Sequence, residues 1–165
     1  MRALASPDRP GTTASTDSID RRRTTAAAFR PLPLNPAVSA RLSRMPTAST
    51  KPEIELRREL HARGLRFRIH MTALPGTPDV VLTRARLAVF VDGCFWHGCA
   101  EHGVLPKNNR EWWAAKLAKN VERDRRKDEE LVALGWLPLH FWEHTTVRQA
   151  ADEVVELWRL RIGRT

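Results

Sequence analysis

From residue 50 onward the apolar positions keep two rhythms, one of about 3.6 residues and one of two, and the changes between them mark the elements. In "TKPEIELRRELHARG", residues 50–64, Thr50 offers an N-cap, Pro52 falls in the first turn, Glu53 completes a capping box and Gly64 offers a stop. A helix is predicted. "LRFRIHM" alternates apolar and basic side chains, which predicts a half-buried strand with Leu65, Phe67 and Ile69 inward. "PDVVLTRARLAVFVDG" predicts strands over residues 80–82 and 87–91, joined by a short polar turn at 83–86. The second is apolar throughout, so it is central and buried. "NREWWAAKLAKNVERDRRKDEELVALG" predicts a long helix closed by Gly135, and "WLPLHFWEH" a strand that Pro138 confines to an edge or a bulge. In "TVRQAADEVVELWRLRI" the residues Val147, Ala150, Ala151, Val154, Leu157, Trp158 and Ile162 recur at helical spacing and face the sheet. The predicted order is helix, three strands, helix, strand, helix, an α/β arrangement.

No such rhythm runs through residues 1–36, which hold five of the eleven prolines and many serines and threonines. They are expected to form a disordered tail ahead of a domain over 37–165. Three alternatives stand beside a plain tail: a linker, an arm on nucleic acid through Arg21, Arg22 and Arg23, or a start that lies upstream of the true one. An organelle transit peptide fits poorly, because Asp8, Asp17, Asp20 and the prolines oppose an amphipathic helix.

Composition narrows the partners. The 165 residues suit one core, and the net charge of +9 with a pI near 10.9 points to an anionic polymer such as DNA or RNA, with an anionic membrane a weaker alternative. No apolar run approaches the roughly 18 residues of a membrane span. Two cysteines in "CFWHGC" are too few for a secreted disulfide framework and suggest a reducing cytoplasm.

The densest chemistry lies in "FVDGCFWHGCAEHG", residues 90–103. An antiparallel pair of strands would bring Asp79, which begins one, and Asp92, which ends the next, to one end of the sheet. Two close carboxylates repel unless a cation or proton lies between them, and magnesium suits oxygen ligands. Taken singly, Asp79 after Pro78 also suits a strand cap, and Asp92 before Gly93 a turn. Cys94, Cys99 and His102 offer the thiolate and imidazole set of a tetrahedral zinc site, with His144 as the fourth ligand from the end of the edge strand. Free buried thiols and solvated histidines are the alternative. His97 is left over as a general acid or base. Phe95, Trp96, Trp112 and Trp113 have no periodic reason to be core, and rings of this kind wedge between bases or stack on them. Between Lys107 and Lys127 eight basic residues, among them Lys116, Lys119, Arg123, Arg125 and Arg126, face three acids, a surplus suited to phosphates and equally to a solvated helix face.

Together "LPGTPDVVLTRARLAVFVDGCFWHGC", "NREWWAAKLAKNVERDRR" and "GWLPLHFWEH" resemble the very-short-patch mismatch-repair endonucleases over roughly residues 37–160. The resemblance implies a restriction-endonuclease-like fold, a central mixed sheet flanked by helices with a structural zinc site. It also implies a magnesium-dependent nick 5′ to the thymine of a T:G mismatch, the lesion left by deamination of 5-methylcytosine. By the same resemblance Asp79 and the backbone carbonyl of Val91 hold the catalytic magnesium, and His97 handles the proton of the attacking water. Glu55 is the acidic residue contributed by the first helix, Asp124 supports a catalytic histidine, and Phe95, Trp96 and Trp113 form the wedge. Such an enzyme would work as a monomer on double-stranded DNA in the cytoplasm, associated with the nucleoid and with other mismatch-repair proteins.

Two departures from the family pattern bear on mechanism. Asp92 stands where the best-known member has a second active-site histidine, so either His97 takes over that role or Asp92 adds a metal contact. The zinc set here has fewer cysteines, and zinc accepts Cys and His alike. Two other classes remain open on the sequence: a DNA nuclease without mismatch preference, and a non-catalytic zinc-stabilised DNA-binding module.

Overall fold

Helix α1, Lys51–Ala62, starts where Thr50 leaves the helical region, and the carboxylate of Glu53 accepts from the Thr50 backbone N–H at 3.2 Å and from its hydroxyl at 2.7 Å. The expected capping box is therefore present. Its buried stripe is Glu53, Leu56 and Leu60, and the chain turns away through Gly64 at φ +83°. The computed structural model describes residues 48–163 together with positions 37, 40 and 44. The expected tail over 1–36 lies outside the described residues.

Three strands follow, β1 Val80–Leu82, β2 Leu87–Asp92 and β3 Leu137–Trp142, in the order β1-β2-β3. β1 and β2 are antiparallel with Val80 opposite Val89, and β3 runs parallel to β2 with Asp92 beside Trp142. Central β2 is apolar over residues 87–91, and β3 with Pro138 is an edge, as the pattern required. The strand expected in "LRFRIHM" is reduced to one antiparallel bridge between Arg68 and Val81. Leu65 is buried, but Ile69 is exposed, because His70 takes a left-handed φ of +46° and the extended run ends there.

Helix α2, Arg110–Ala133, precedes β3, and helix α3, Val147–Ile162, closes the described chain. α2 gives way to β3 through Gly135 at φ +79°, where an added Cβ would lie 2.9 Å from the Arg86 guanidinium. Strand alternation sorts the core into two layers. Val80, Leu82, Leu87 and Val89 pack with Leu56, Leu60, Ala151 and Val154, on the side covered by α1 and α3. Val81 and Ala88 pack with Leu74 and Leu131, on the side covered by α2. The result is a small α/β unit with a mixed three-stranded sheet and helices on both faces. Among the described residues no helix is long and apolar enough to cross a membrane.

This register decides where the chemistry lands. Asp79 precedes β1 and Asp92 ends β2, so the antiparallel pairing puts both at one end of the sheet. On β2 and β3, Phe90, Asp92 and His140 share the face toward α2.

Candidate active site and metal centre

Asp79 is fixed by its neighbour across the sheet, since the Val91 backbone N–H donates to its Oδ2 at 2.8 Å. Burial pushes its carboxyl up to about 6, the Val91 hydrogen bond opposes this, and the adjoining Glu53 carboxylate, hydrogen-bonded to it, adds to the rise. Glu53 moves the other way. Burial acts to raise it, but the hydroxyl and backbone donors of Thr50, the Ser49 N–H and the Arg57 guanidinium hold it below its ordinary value. Arg57 pairs with Glu53 at 2.8 Å and also donates to the Asp79 carbonyl at 3.3 Å. The pair is thus one readily ionised acid beside one whose carboxyl gives up its proton only near pH 6.

Glu55, the acid expected from the first helix, does not join this pair. Its side chain is 43% exposed and lies 3.7 Å from Lys51. Two residues along a helix turn a side chain by roughly 200°, so only one of Glu53 and Glu55 can face Asp79. A signal for Glu53 was present in the sequence, a carboxylate on the same stripe as Leu56 and Leu60.

His97 leaves the loop after β2 toward α2, where its Nδ1 meets Asp124 Oδ2 at 2.8 Å. An ionised carboxylate only accepts, so Nδ1–H donates and Nε2 is left as the nitrogen that can take a proton. Asp92 Oδ1 lies 3.7 Å from the same Nδ1. The other oxygen of Asp92 lies 2.7 Å from Nδ1 of His140, whose Nε2 meets Asp128 Oδ1 at 3.0 Å. Burial would favour a neutral His140 ring, yet Asp92 and Asp128 outweigh it and raise the pKa to about 9. Neither His140 nor Asp128 stood out in the sequence, where one sits in an apolar strand and the other in a charged helix.

The loop beyond β2 is shaped by its own backbone. Trp96 and His97 donate to the Gly93 carbonyl at 3.0 and 3.2 Å, and the Gly103 N–H donates to Cys99 at 2.8 Å, so close that an added Cβ would collide with the Cys99 carbonyl. Asn120 of α2 donates to the Trp96 carbonyl at 3.2 Å and ties the loop to the helix. These turns gather Cys94, Cys99, His102 and His144, whose ligand atoms all lie within 4.8 Å of one another. Cys94 Sγ is 3.0 Å from His144 Nδ1, and Cys99 Sγ is 3.9 Å from His102 Nδ1. Burial, with Cys99 and Glu143 nearby, pushes the Cys94 thiol up to about 11. Burial also acts to raise Cys99, but hydrogen bonds from His102, Glu101 and Cys94 leave it below its ordinary value. Two buried sulfurs facing two imidazoles form a group that could hold a metal ion.

Beside that group the rings form one cluster. Phe95 packs edge-on against Trp96 at 4.9 Å and Trp113 at 5.3 Å, and Trp112 packs against Trp113 at 4.9 Å. Lys116 Nζ lies 5.3, 5.0 and 5.1 Å from the ring centres of Trp96, Trp112 and Trp113. Such a cation holds the rings by their π faces. Lys119, Arg123, Arg125 and Arg126 are exposed along the same helix, with Arg125 paired to Glu122 at 2.9 Å and to Glu129 at 2.6 Å.

Residues 36–102 match the family model described as DNA mismatch endonuclease Vsr. The type II nicking enzyme V.NaeI of Lentzea aerocolonigenes is 39% identical over 147 residues, covering 86% of this chain and 89% of that protein. The type II nicking enzyme V.XorIIP of Xanthomonas oryzae pv. oryzae is 46% identical over 96 residues, 58% of this chain and 71% of that protein. The DNA mismatch endonuclease Vsr of Escherichia coli K12 is 43% identical over 100 residues, 59% of this chain and 63% of that protein. With identity at this level running along almost the whole length of a nicking enzyme, the chain belongs to the Vsr family of DNA mismatch endonucleases.

Proposed function

We propose that this chain nicks double-stranded DNA 5′ to the thymine of a T:G mismatch, in a magnesium-dependent reaction on a restriction-endonuclease-like fold. Family membership supports the coarser statement, a DNA-nicking endonuclease. The observation that carries the finer one is the meeting of three parts at one end of the sheet: the Asp79 and Glu53 carboxylates, the His97–Asp124 pair, and a ring cluster on the neighbouring loop and helix.

The residues present fit the implied metals. Asp79 is a hard oxygen donor whose charge is opposed by its buried site, and with the Val91 carbonyl it would hold magnesium. When bound, magnesium supplies positive charge to the phosphate under attack and acidifies a water. His97 would accept the proton of the attacking water at Nε2, and Asp124 holds the ring in the tautomer that permits it. Cys94, Cys99, His102 and His144 suit zinc in a structural role, pinning the loop that carries His97. Phe95, Trp96 and Trp113 enter the base stack, while Trp112, Lys116, Lys119, Arg123, Arg125 and Arg126 line the DNA-facing side. The enzyme acts as a monomer in the cytoplasm, on the nucleoid and alongside other mismatch-repair proteins.

A T:G wobble pair resists the wedge less than a matched pair. Unstacking costs about a few kcal/mol per step, and each ~1.4 kcal/mol saved is a factor of ten, so stacking supplies part of the choice and contacts to the shifted base edges the rest. Nicking gels on duplexes carrying one mismatch each are expected to show T:G cut in preference to every other pair. Trp96→Ala is expected to lose at least about tenfold in T:G nicking with non-specific DNA affinity nearly unchanged. Equal cutting of matched and T:G duplexes by the wild type, or full T:G nicking by the variant, would leave a general nuclease as the better description.

A further inference from the structure

The proposed chemistry gives His140 no role, although few side chains near the site are held so fully. It stands on β3 beside Phe90 of β2, whose ring stacks on it at 4.8 Å and 10°. Its two nitrogens meet Asp92 at 2.7 Å and Asp128 at 3.0 Å. Both partners are acceptors, so both nitrogens donate and the ring is an imidazolium. Asp128 follows Asp124 by one helical turn, so a single face of α2 presents one carboxylate to His97 and the next to His140. Asp92, 8% exposed, lies between the two rings, with Oδ2 on His140 and Oδ1 3.7 Å from His97.

The groups therefore alternate carboxylate and imidazole in one chain of contacts: Asp128, His140, Asp92, His97, Asp124. Without His140, Asp92 and Asp124 would face a single imidazole, and the buried Asp92 would be free to swing away from it.

We propose that His140 is a positioning residue of the nicking centre, a cationic clamp that holds one oxygen of Asp92 and thereby keeps the other aimed at His97. The clamp rests on the reading of His97 as the group that serves the attacking water. It acts through Asp92 and touches neither DNA nor metal, so its loss falls on the chemical step and not on DNA affinity. Aiming of this kind matters because even a small misplacement of a proton-accepting group carries a large cost in rate.

Two variants separate clamp from scaffold. His140→Phe keeps a ring to stack on Phe90 and removes both donors, whereas His140→Arg restores positive charge and paired donors to the carboxylates. Single-turnover nicking, DNA affinity by fluorescence anisotropy and thermal melting are measured on the full chain with magnesium. His140→Phe is expected to nick about ten- to a hundredfold more slowly, with DNA affinity within about twofold of wild type. His140→Arg is expected to recover most of that loss, and Asp92→Asn added to His140→Phe to cost little more, because the two act as one unit. Wild-type rates in His140→Phe, or an arginine variant no faster than the phenylalanine one, would overturn the clamp. The comparison is made on whichever duplex the wild type cuts, so loss of T:G preference is a separate result. A wild type that nicks no duplex would overturn the proposed function and the clamp together.

Discussion

Asp79→Asn is expected to reduce nicking by roughly three orders of magnitude or more, the several kcal/mol that a cation supplies to phosphodiester cleavage, while making the metal-free protein more stable at neutral pH. The two effects have one cause. The fold raises Asp79 from its ordinary 3.8 to about 6 by burying it, with Glu53 adding to the rise. Its stabilising contribution is therefore that of the protonated form, fully present below the ordinary value and lost as pH rises through about 6. At pH 7 the metal-free wild type keeps an ionised carboxylate in a site that opposes it. Asparagine removes that charge and still offers an oxygen to the Val91 N–H. Melting curves should place the variant above the wild type at pH 7 by on the order of 1–3 kcal/mol, with the gap closing toward pH 4. Added magnesium should stabilise the wild type alone. Wild-type nicking by Asp79→Asn at saturating magnesium would show that the cation binds elsewhere. DNA affinity should change little, since the basic face of α2 is untouched.

Removing zinc from its proposed site at the cysteine and histidine group should act on a different part of the molecule with comparable force. Metal analysis of purified protein is expected to find zinc in equimolar amount. Its chelation, or Cys94→Ser, should lower stability by roughly 3–4 kcal/mol, the linkage expected for an ion present at a few hundred times its Kd or more. The Cys94 thiol gives this linkage its pH dependence. Burial, Cys99 and Glu143 push it up to about 11, so without a cation the site holds a neutral thiol and the ligand set is incomplete. Zinc binding should therefore release protons and weaken as pH falls. The same loop carries Phe95, Trp96 and His97, so nicking should fall with zinc even at temperatures where the sheet and helices persist. Protein purified without zinc, with Cys94→Ser melting at the wild-type temperature, would rule out a structural metal.

The sequence by itself determined the helices and the sheet, because their signals are local. Thr50, Glu53 and Gly64 bound α1, the apolar run 87–91 defines the buried strand, and Pro138 marks an edge. It also brought the candidate site near to view. Cys94, His97, Cys99 and His102 lie within nine residues, and the antiparallel pair places Asp79 and Asp92 at one end of the sheet. What it misjudged was local alternation without a partner. "LRFRIHM" alternates like a strand, yet a strand needs an edge to pair with, and His70 turns the chain away after one bridge. Choices between neighbours in sequence were also left to the tertiary structure. Glu53 and Glu55 are acids of one helix; Glu53 shares the stripe of Leu56 and Leu60, but only the packing of α1 against the sheet sends it to Asp79 and leaves Glu55 to solvent. Likewise, nothing near His140 in sequence foretells Asp92, 48 residues away, or Asp128 on the preceding helix. Parallel pairing of β3 with β2 and the pitch of α2 bring those groups together. Ion pairs between distant elements follow from register and helix phase, which a chain acquires only when its core has packed.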